Sequence, residues 1–581
     1  MLGAEILVEM LAAYGVNVVF GVPGDTNVPF YAALRRSAGL VSHIMARDER
    51  SAGFMADAYA RVTGKPGVVE VPSGAGPMYA LPAIAEANVS AVPLILITCD
   101  MPISMERRGI ISAFDGARLF HSIVKDSYQV KSARQLPDAI RSAFRTATSG
   151  RPGAAHIVVA DDLLAEDVPA ELVSLHIEPE CASAPSYRPY PAPEQVRAVL
   201  SRLAAARRPV IVAGGGAVRS CVGDRLARLA ERLRIPVATT ITGRTVLATD
   251  HPQAIGVVGD NGFHPPANRA VEQSDLIVYL GSKLGSVVTV GWTLPSELAR
   301  RELIHVDIDP MVLGNNTRAA LKICSDVDML LRALLAERVE ASPAHARWMA
   351  EVAGWRSTFW AHEARRPEAK SDRLHPADVM RLLNERLKPP VILAADAGTP
   401  TPYLSRYLAL GPGSCIAIPR AFGGLGYAIP GVVGLAHARP GMRVVGLFGD
   451  GSLGMSAGEL ATLAPLDLPI LLLHFNNSAF ATIKRVQRLH GHNQTYSVDF
   501  PAMDGARIAQ AFGLQAWRVS DVSSLEAALN EALACTGPCF IDLIVESIAD
   551  TLPPMASWTR KLGYDPHSLE EPGRVPLAPR L

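Results

Sequence analysis

Short runs of branched apolar residues recur along the chain, each followed by a stretch whose apolar positions fall at helical spacing. Val18-Val19-Phe20, Val68-Val69-Glu70-Val71, Leu94 to Ile97 and Ala155 to Val159 read as strands. The alternation resumes at Pro209 to Val212, Leu276 to Leu280 and Leu303 to Asp307, and again at Arg443 to Phe448 and Ile470 to Phe475. Strand, helix and strand in repeated succession predict parallel sheets covered by helices on both faces. Three such blocks are expected, at residues 1–180, 194–337 and 373–548. A proline-rich linker over 178–193 separates the first two, and a charge-mixed helical connector over 338–372, holding Trp348, Trp355 and Trp360, separates the last two. The tail, 549–581, is rich in proline and charge and has no period. The predicted fold class is α/β, with three consecutive doubly wound parallel-sheet domains and a C-terminal tail.

Composition narrows the partners. In 581 residues, Lys+Arg and Asp+Glu number 56 each, so no net field draws the chain to nucleic acid or an anionic membrane. Apolar residues make up 49 %, enough to fill several cores. Only Cys535 and Cys539 lie close together, and no cluster with histidine completes a zinc site, so the thiols read as core or incidental in a reducing compartment. The start Met1-Leu2-Gly3-Ala4-Glu5 lacks a charged leader before an apolar run, and runs such as Val92 to Cys99 are too short to span a bilayer. A cytoplasmic protein is expected.

The chemistry gathers in the third block. Gly449-Asp450-Gly451-Ser452 ends one strand, and Asn476-Asn477 ends the next. A Gly-Asp-Gly alone is commonly a turn. Here the helix read over Ser456 to Leu463, closed by Pro465 and Pro469, makes the two strands adjacent and parallel. That arrangement brings Asp450 and Asn477 side by side at the ligand-binding rim of the sheet. Their oxygens, with a backbone carbonyl, suit Mg²⁺ shared with a diphosphate, and the glycines let backbone N–H groups approach phosphate.

This arrangement resembles the signature of thiamine-diphosphate-dependent enzymes of the acetolactate synthase-like (pyruvate oxidase/decarboxylase) superfamily, and the resemblance extends along nearly the whole chain. It implies a pyrimidine-binding first domain, a central nucleotide-binding-like domain and a diphosphate-binding third domain. Arg47-Asp48-Glu49, between Gly21-Val22-Pro23-Gly24 and Ser73-Gly74-Ala75-Gly76, resembles the family's Arg-His-Glu segment and makes Glu49 the catalytic glutamate. Gly24 and Ser73 flank it as cofactor-binding positions. Gly423-Gly424-Leu425-Gly426 places Leu425 as the apolar wedge that bends the cofactor, with Gly424 beside it. Thr399, Gly449, Gly451, Ser452, Asn477, Ala479 and Phe480 complete the cradle. Asp450, Asn477 and the carbonyl of Ala479 are the implied metal ligands. Ala481, where relatives often carry glycine, needs a negative φ or some strain.

Departures from the family concern the substrate. Asp48 stands where His is usual, Ser112 and Ala113 where a Gln-Glu pair lies, Tyr79 for Asn and Val486 for Trp. His121 stands alone where aldehyde-releasing relatives use two adjacent histidines, which favours ligation over simple decarboxylation. His490 and His492 lie in a polar stretch that reads as a solvated loop or a lid. The implied function is decarboxylation of a 2-oxo acid and ligation of the resulting enamine to a second carbonyl compound. The alternatives are a decarboxylase, oxidase or lyase on the same cofactor, or a catalytically silent binding homologue. Thiamine diphosphate and Mg²⁺ are the implied cofactors. FAD, suggested by Gly214-Gly215-Gly216 and Asp307, is the weaker alternative to an empty central domain. A homodimer or homotetramer is implied, with Leu552 to Trp558 of the tail covering the site.

Overall fold

The computed structural model describes residues 1–37, 39–105, 108–296, 301–365, 372–491 and 493–569. His492, the end of the tail and the close of the connector at 366–371 lie outside the described residues. The first sheet contains β1 Val18–Gly21, β2 Ser42–Met45, β3 Gly67–Pro72, β4 Leu94–Asp100, β5 Asp126–Gln129 and β6 Ala154–Ala160, in the order β2-β1-β3-β4-β6-β5. The second contains β7 Pro209–Ala213, β8 Val237–Thr239, β9 Ala254–Val257, β10 Leu276–Leu280, β11 Glu302–Asp307 and β12 Leu321–Cys324, in the order β12-β11-β10-β7-β8-β9. The third contains β13 Ile392–Ala395, β14 Cys415–Ala417, β15 Val444–Gly449, β16 Ile470–Asn476, β17 Gln515–Val519 and β18 Cys539–Ile544, in the order β14-β13-β15-β16-β18-β17.

All the pairings are parallel. The first and third sheets follow the same path through space, a kinship that nothing in their residue patterns indicates. The second follows the strand order of dinucleotide-binding Rossmann folds. The strands that hydrophobic patterning misses include every sheet edge. There β2 and β5 are half-exposed and β17 is mostly so, and a strand with one wet side has no continuous apolar run. Among the described residues, no helix is long and apolar enough to cross a membrane.

One apolar core joins the first and third blocks, running from Phe20, Phe54 and Ala58 to Val432, Phe448 and Leu472. At its centre the helix Glu49–Thr63 packs on the helix Ala428–Ala438. Gly434 permits the approach, because a Cβ there would run into the carbonyl oxygen of Met55. A buried polar group is fully paired across the same contact. Tyr427 Oη donates to Asp57 Oδ2 at 2.6 Å, and Arg61 bridges Asp57 at 2.6 Å and Glu86 at 3.1 Å. Glu86 in turn accepts from the backbone N–H of Phe422 at 2.7 Å and of Gly423 at 3.2 Å. Removing one partner would strand a buried charge, which costs more than the pair contributes.

Gly434→Val is expected to lower unfolding free energy by about 1–3 kcal/mol or more through overpacking. The denaturant midpoint reads this, and a variant of native stability would mean that the two helices do not meet so closely.

Candidate active site

β15 and β16 run in register to their ends, with Gly449 opposite Phe475. This delivers Asp450 and Asn477 to the same level of the sheet rim, as the sequence spacing anticipates. Asp450 is 4 % exposed and Asn477 8 % exposed. Asp450 Oδ2 accepts the Asn477 backbone N–H at 3.0 Å, and Asn477 Nδ2 faces Thr399 Oγ1 at 3.4 Å. The other two oxygens, Asp450 Oδ1 and Asn477 Oδ1, are buried and have no hydrogen-bond partner. Unsatisfied buried oxygens are costly unless something occupies them, and two hard oxygens at adjacent strand ends fit a divalent cation.

Burial raises the Asp450 carboxyl above its ordinary range, while His474 pulls it down. His474 lies 3.6 Å from Asp450 Oδ1 and hydrogen-bonds Asp542 at 2.9 Å through its other nitrogen. The helix following the motif starts at Asp450 itself and runs Asp450–Ser456 before tightening into a short 3₁₀ turn. The helix read from sequence over Ser456 to Leu463 is thus partly misplaced, because the glycines flanking Asp450 lower helix propensity without preventing the turn.

Ser478 Oγ belongs to a residue in the left-handed region, φ +57°, so the backbone strain sits there and not at Ala481, which opens the helix Ala481–His490. The Ser478 carbonyl accepts from Phe500 N and Phe480 N donates to the Val498 carbonyl, each at 2.8 Å. Ala479, bridged to Asp499 between those bonds, turns its own carbonyl away from that pairing.

Leu425 lies against Gly451, and a Cβ on Gly451 would strike the Phe480 ring. Gly424 faces the Phe54 ring. One buried carboxylate, which the family resemblance marks only as the start of the Asp396-Ala397-Gly398-Thr399 turn, ties these segments together. Asp396 accepts from Tyr427 N and Ala428 N at 3.0 Å each, and Ser452 also donates to it. It thereby joins the end of β13, the Leu425 loop and the Asp450 helix. Burial lifts its acid to about 6 against those donors. The Thr401 hydroxyl donates to the Asp396 carbonyl at 2.6 Å.

Glu49 opens its helix in the first block, half-buried, with its carboxyl pushed up chiefly by burial and further by Asp48. Asp48 accepts from Arg50 N at 2.8 Å and Ser51 N at 3.2 Å, so this departure from the family supplies a helix cap. The Glu49 carboxyl lies against Gly76 beside Pro72, and Pro72 also packs on Gly24. Ser73 N donates to Thr26 Oγ1 at 2.9 Å. Ser112, at φ +68°, presses on Gly74, whereas Tyr79 and Val486 are exposed. Thr399, Leu425, Asp450, Gly451, Asn477 and Phe480 form one cluster in the third block. No hydrogen bond or ion pair joins Glu49 to Asp450 or Asn477 within this chain. The tail is docked, with Ser557 N donating to Asp260 at 2.6 Å, Lys561 against His490 and Trp558 buried.

Comparison with known families agrees with this layout. Residues 1–119 match "Thiamine pyrophosphate enzyme, N-terminal TPP binding domain", 196–334 the central domain of the same enzymes and 396–543 their C-terminal TPP binding domain. The chain is 30 % identical over 568 residues to a probable acetolactate synthase large subunit of Methanocaldococcus jannaschii, covering 95 % of this chain and 93 % of that one. It is also 30 % identical to the large subunit of acetolactate synthase isozyme 3 of Escherichia coli, covering 91 % and 92 %. A Mycobacterium bovis acetolactate synthase is 30 % identical over 96 % of this chain and 90 % of its own.

Asp396→Asn tests the scaffold. Because its acid is lifted to about 6 in the fold, ionisation withdraws stability as pH rises from its unfolded value through 6. The amide removes that pH dependence but sets an N–H₂ group against a backbone N–H. Net stability at pH 7 should fall by about 1–3 kcal/mol. Thermal unfolding across pH 4–8 checks both effects.

Proposed function

The chain belongs to the thiamine pyrophosphate enzymes of the acetolactate synthase type, and from that premise we propose that it decarboxylates a 2-oxo acid and ligates the resulting acyl-anion equivalent to a second carbonyl compound. The observation that carries the reading is the pair of buried, unpartnered oxygens on Asp450 and Asn477 beside the Gly451 cradle. Thiamine diphosphate, when bound, supplies the carbanion and the electron sink that decarboxylation requires.

The chain's own residues have four tasks. Asp450, Asn477 and the Ala479 carbonyl would hold Mg²⁺, and Gly449, Gly451, Ser452 and Thr399 would receive the diphosphate. Leu425, backed by Phe480, would press the cofactor into its bent form, with Gly424 leaving room. Glu49, whose acid is raised by burial, would hold a proton at its carboxyl and exchange it with a ring nitrogen of the aminopyrimidine. Gly24 and Ser73 would line the wall beside it. Because no hydrogen bond or ion pair joins Glu49 to the Asp450 cluster of its own chain among the described residues, a homodimer in which Glu49 faces the Asp450 cluster of a second copy is the arrangement we favour. The docked segment Leu552 to Trp558 would help exclude water.

The departures at Ser112, Tyr79 and Val486 set this pocket apart from acetolactate synthesis, so the donor and acceptor pair is the open variable of the reading. Decarboxylation, oxidation or lyase chemistry on the same cofactor is the second reading. A cavity of about 370 Å³ where the three blocks meet is lined by Arg151 of the first block, by Arg219, Lys283 and Asp307 near the strand ends of the Rossmann-ordered sheet, and by Arg420 of the third block. Its cations suit phosphate. We read the central block as a structural spacer, with FAD the weaker alternative; a flavin absorption spectrum in the purified protein would overturn that.

Glu49→Gln is expected to lower turnover about 10²–10⁴-fold, the range of a lost acid–base group. Asp450→Ala should release thiamine diphosphate at Mg²⁺ concentrations that saturate the native protein, seen by calorimetry. A screen of 2-oxo acids that follows CO₂ and ligated product together assigns the reaction; CO₂ with free aldehyde alone would remove the carboligase reading.

A further inference from the structure

A fully buried carboxyl group sits in the first sheet, where none of the tasks above uses it. Glu70 lies in the middle of β3, paired on one side with Gly21 of β1 and on the other with Ile97 of β4, and is 0 % exposed. A carboxyl group in a central strand is expensive unless it is neutral or fully paired. Glu70 has several partners. Asn27 Nδ2 donates to its Oε1 at 2.6 Å, Cys99 Sγ reaches the same oxygen at 3.4 Å, and Tyr31 Oη lies 3.1 Å from Oε2. The Tyr31 hydroxyl is also 3.0 Å from His43 Nε2 on β2, the edge strand beyond β1. Among the described residues, no cation pairs with the group.

These bonds have one geometric consequence. Asn27 closes the turn that follows β1, accepting the Gly24 N–H at 2.7 Å and donating to the Val22 carbonyl at 3.1 Å. Glu70 therefore anchors the Gly21–Asn27 turn to the central strand through Asn27. Gly24 of that turn packs on Pro72, two residues beyond Glu70 on the same face of β3, and Pro72 and Gly76 form the wall against the Glu49 carboxyl. We propose that Glu70 is a positioning residue that works as a neutral carboxylic acid, fixing the turn and the Pro72 wall against which Glu49 exchanges its proton. This rests on the reading of Glu49 as the acid–base group.

Neutrality satisfies every donor and acceptor in the chain of contacts. Protonated Oε2 donates to Tyr31 Oη, and the phenol donates onward to His43 Nε2. Burial holds the Glu70 acid up at about 8, with the nearby Glu49 adding to the effect against the bonds from Asn27, Tyr31 and Cys99. Burial also holds His43 down at about 4, so its ring is neutral and ready to accept. The titratable groups facing Glu70 are thus Tyr31, His43, Cys99 and Glu49; Asp100 and Asp161 act on Cys99.

The sign of the stability effect follows from linkage. A carboxyl group that keeps its proton in the fold but loses it on unfolding withdraws stability as pH rises between the unfolded and folded values. Glu70→Gln keeps the shape and the donor to Tyr31 but cannot ionise. In the cofactor-free protein, the melting-temperature advantage of Glu70→Gln over the native protein should grow from pH 5 to pH 8 and level off above. A Gln variant that instead becomes steadily less stable than native over that range would show that the carboxylate is the working form, and would overturn the proposal.

With thiamine diphosphate and Mg²⁺ bound, exchange of the cofactor's C2 proton measured by NMR reports on Glu49. Glu70→Leu, which offers Asn27 no acceptor, should slow that exchange about tenfold or more, the scale of a lost buried hydrogen bond, and Glu70→Gln should rescue it. Equal rates in the Leu and native proteins would also overturn the proposal. Glu49→Gln separates the two readings: retained turnover there would defeat the role of Glu49, while the pH dependence of melting still decides the state of Glu70.

Discussion

The close packing of the helix Glu49–Thr63 on the helix Ala428–Ala438 is the constraint on which the rest depends. Each helix begins at a residue or loop assigned to the site, Glu49 in one case and the Leu425 loop in the other. Fixing the two helix bodies therefore fixes both starting points. The contact is possible because Gly434 has no Cβ to meet the Met55 carbonyl, and it is specified by the Asp57–Arg61–Glu86–Tyr427 group. The apolar core contributes affinity without direction, whereas the buried polar group accepts only one register, since any other would leave a charge unpaired.

The two α/β blocks that meet there share a strand order, and each places its chemistry at equivalent ends of its sheet. In the third block the strand ends present oxygen atoms and glycine backbone, a setting for a cation and an anion. In the first they present a half-buried carboxyl group beside glycine and proline, a setting for proton exchange. One architecture thus presents two different electrostatic settings through the residues at its rim, and the site-level chemistry cannot be inferred from the fold.

Buried carboxyl groups recur in supporting roles. Asp396 satisfies two backbone N–H groups at the start of a helix, and Glu70 satisfies a turn through Asn27. Each holds a loop in place more firmly than an apolar residue could, because a hydrogen bond has direction. Each also carries a desolvation cost, visible as an acid raised by burial.

The sequence by itself determined the class of fold and that Asp450 and Asn477 end neighbouring strands of the third block. Central strands are mostly apolar, so β3, β4, β6, β10, β15 and β16 stand out as runs despite single polar positions such as Glu70 and His474, and the spacing of Asp450 and Asn477 follows from the length of one strand–helix–strand unit. Edge strands such as β2, β5 and β17 carry exposed positions and leave no such trace. Only the tertiary structure decided that Asp396 and Glu70 are structural carboxyl groups, because their partners lie dozens of residues away: Asp396 meets Tyr427 across 31 residues and Glu70 meets Asn27 across 43. It also decided that Asp48 caps a helix and that strain falls on Ser478. Local pattern fixes what each segment becomes; burial and long-range partners fix what each polar residue in it does.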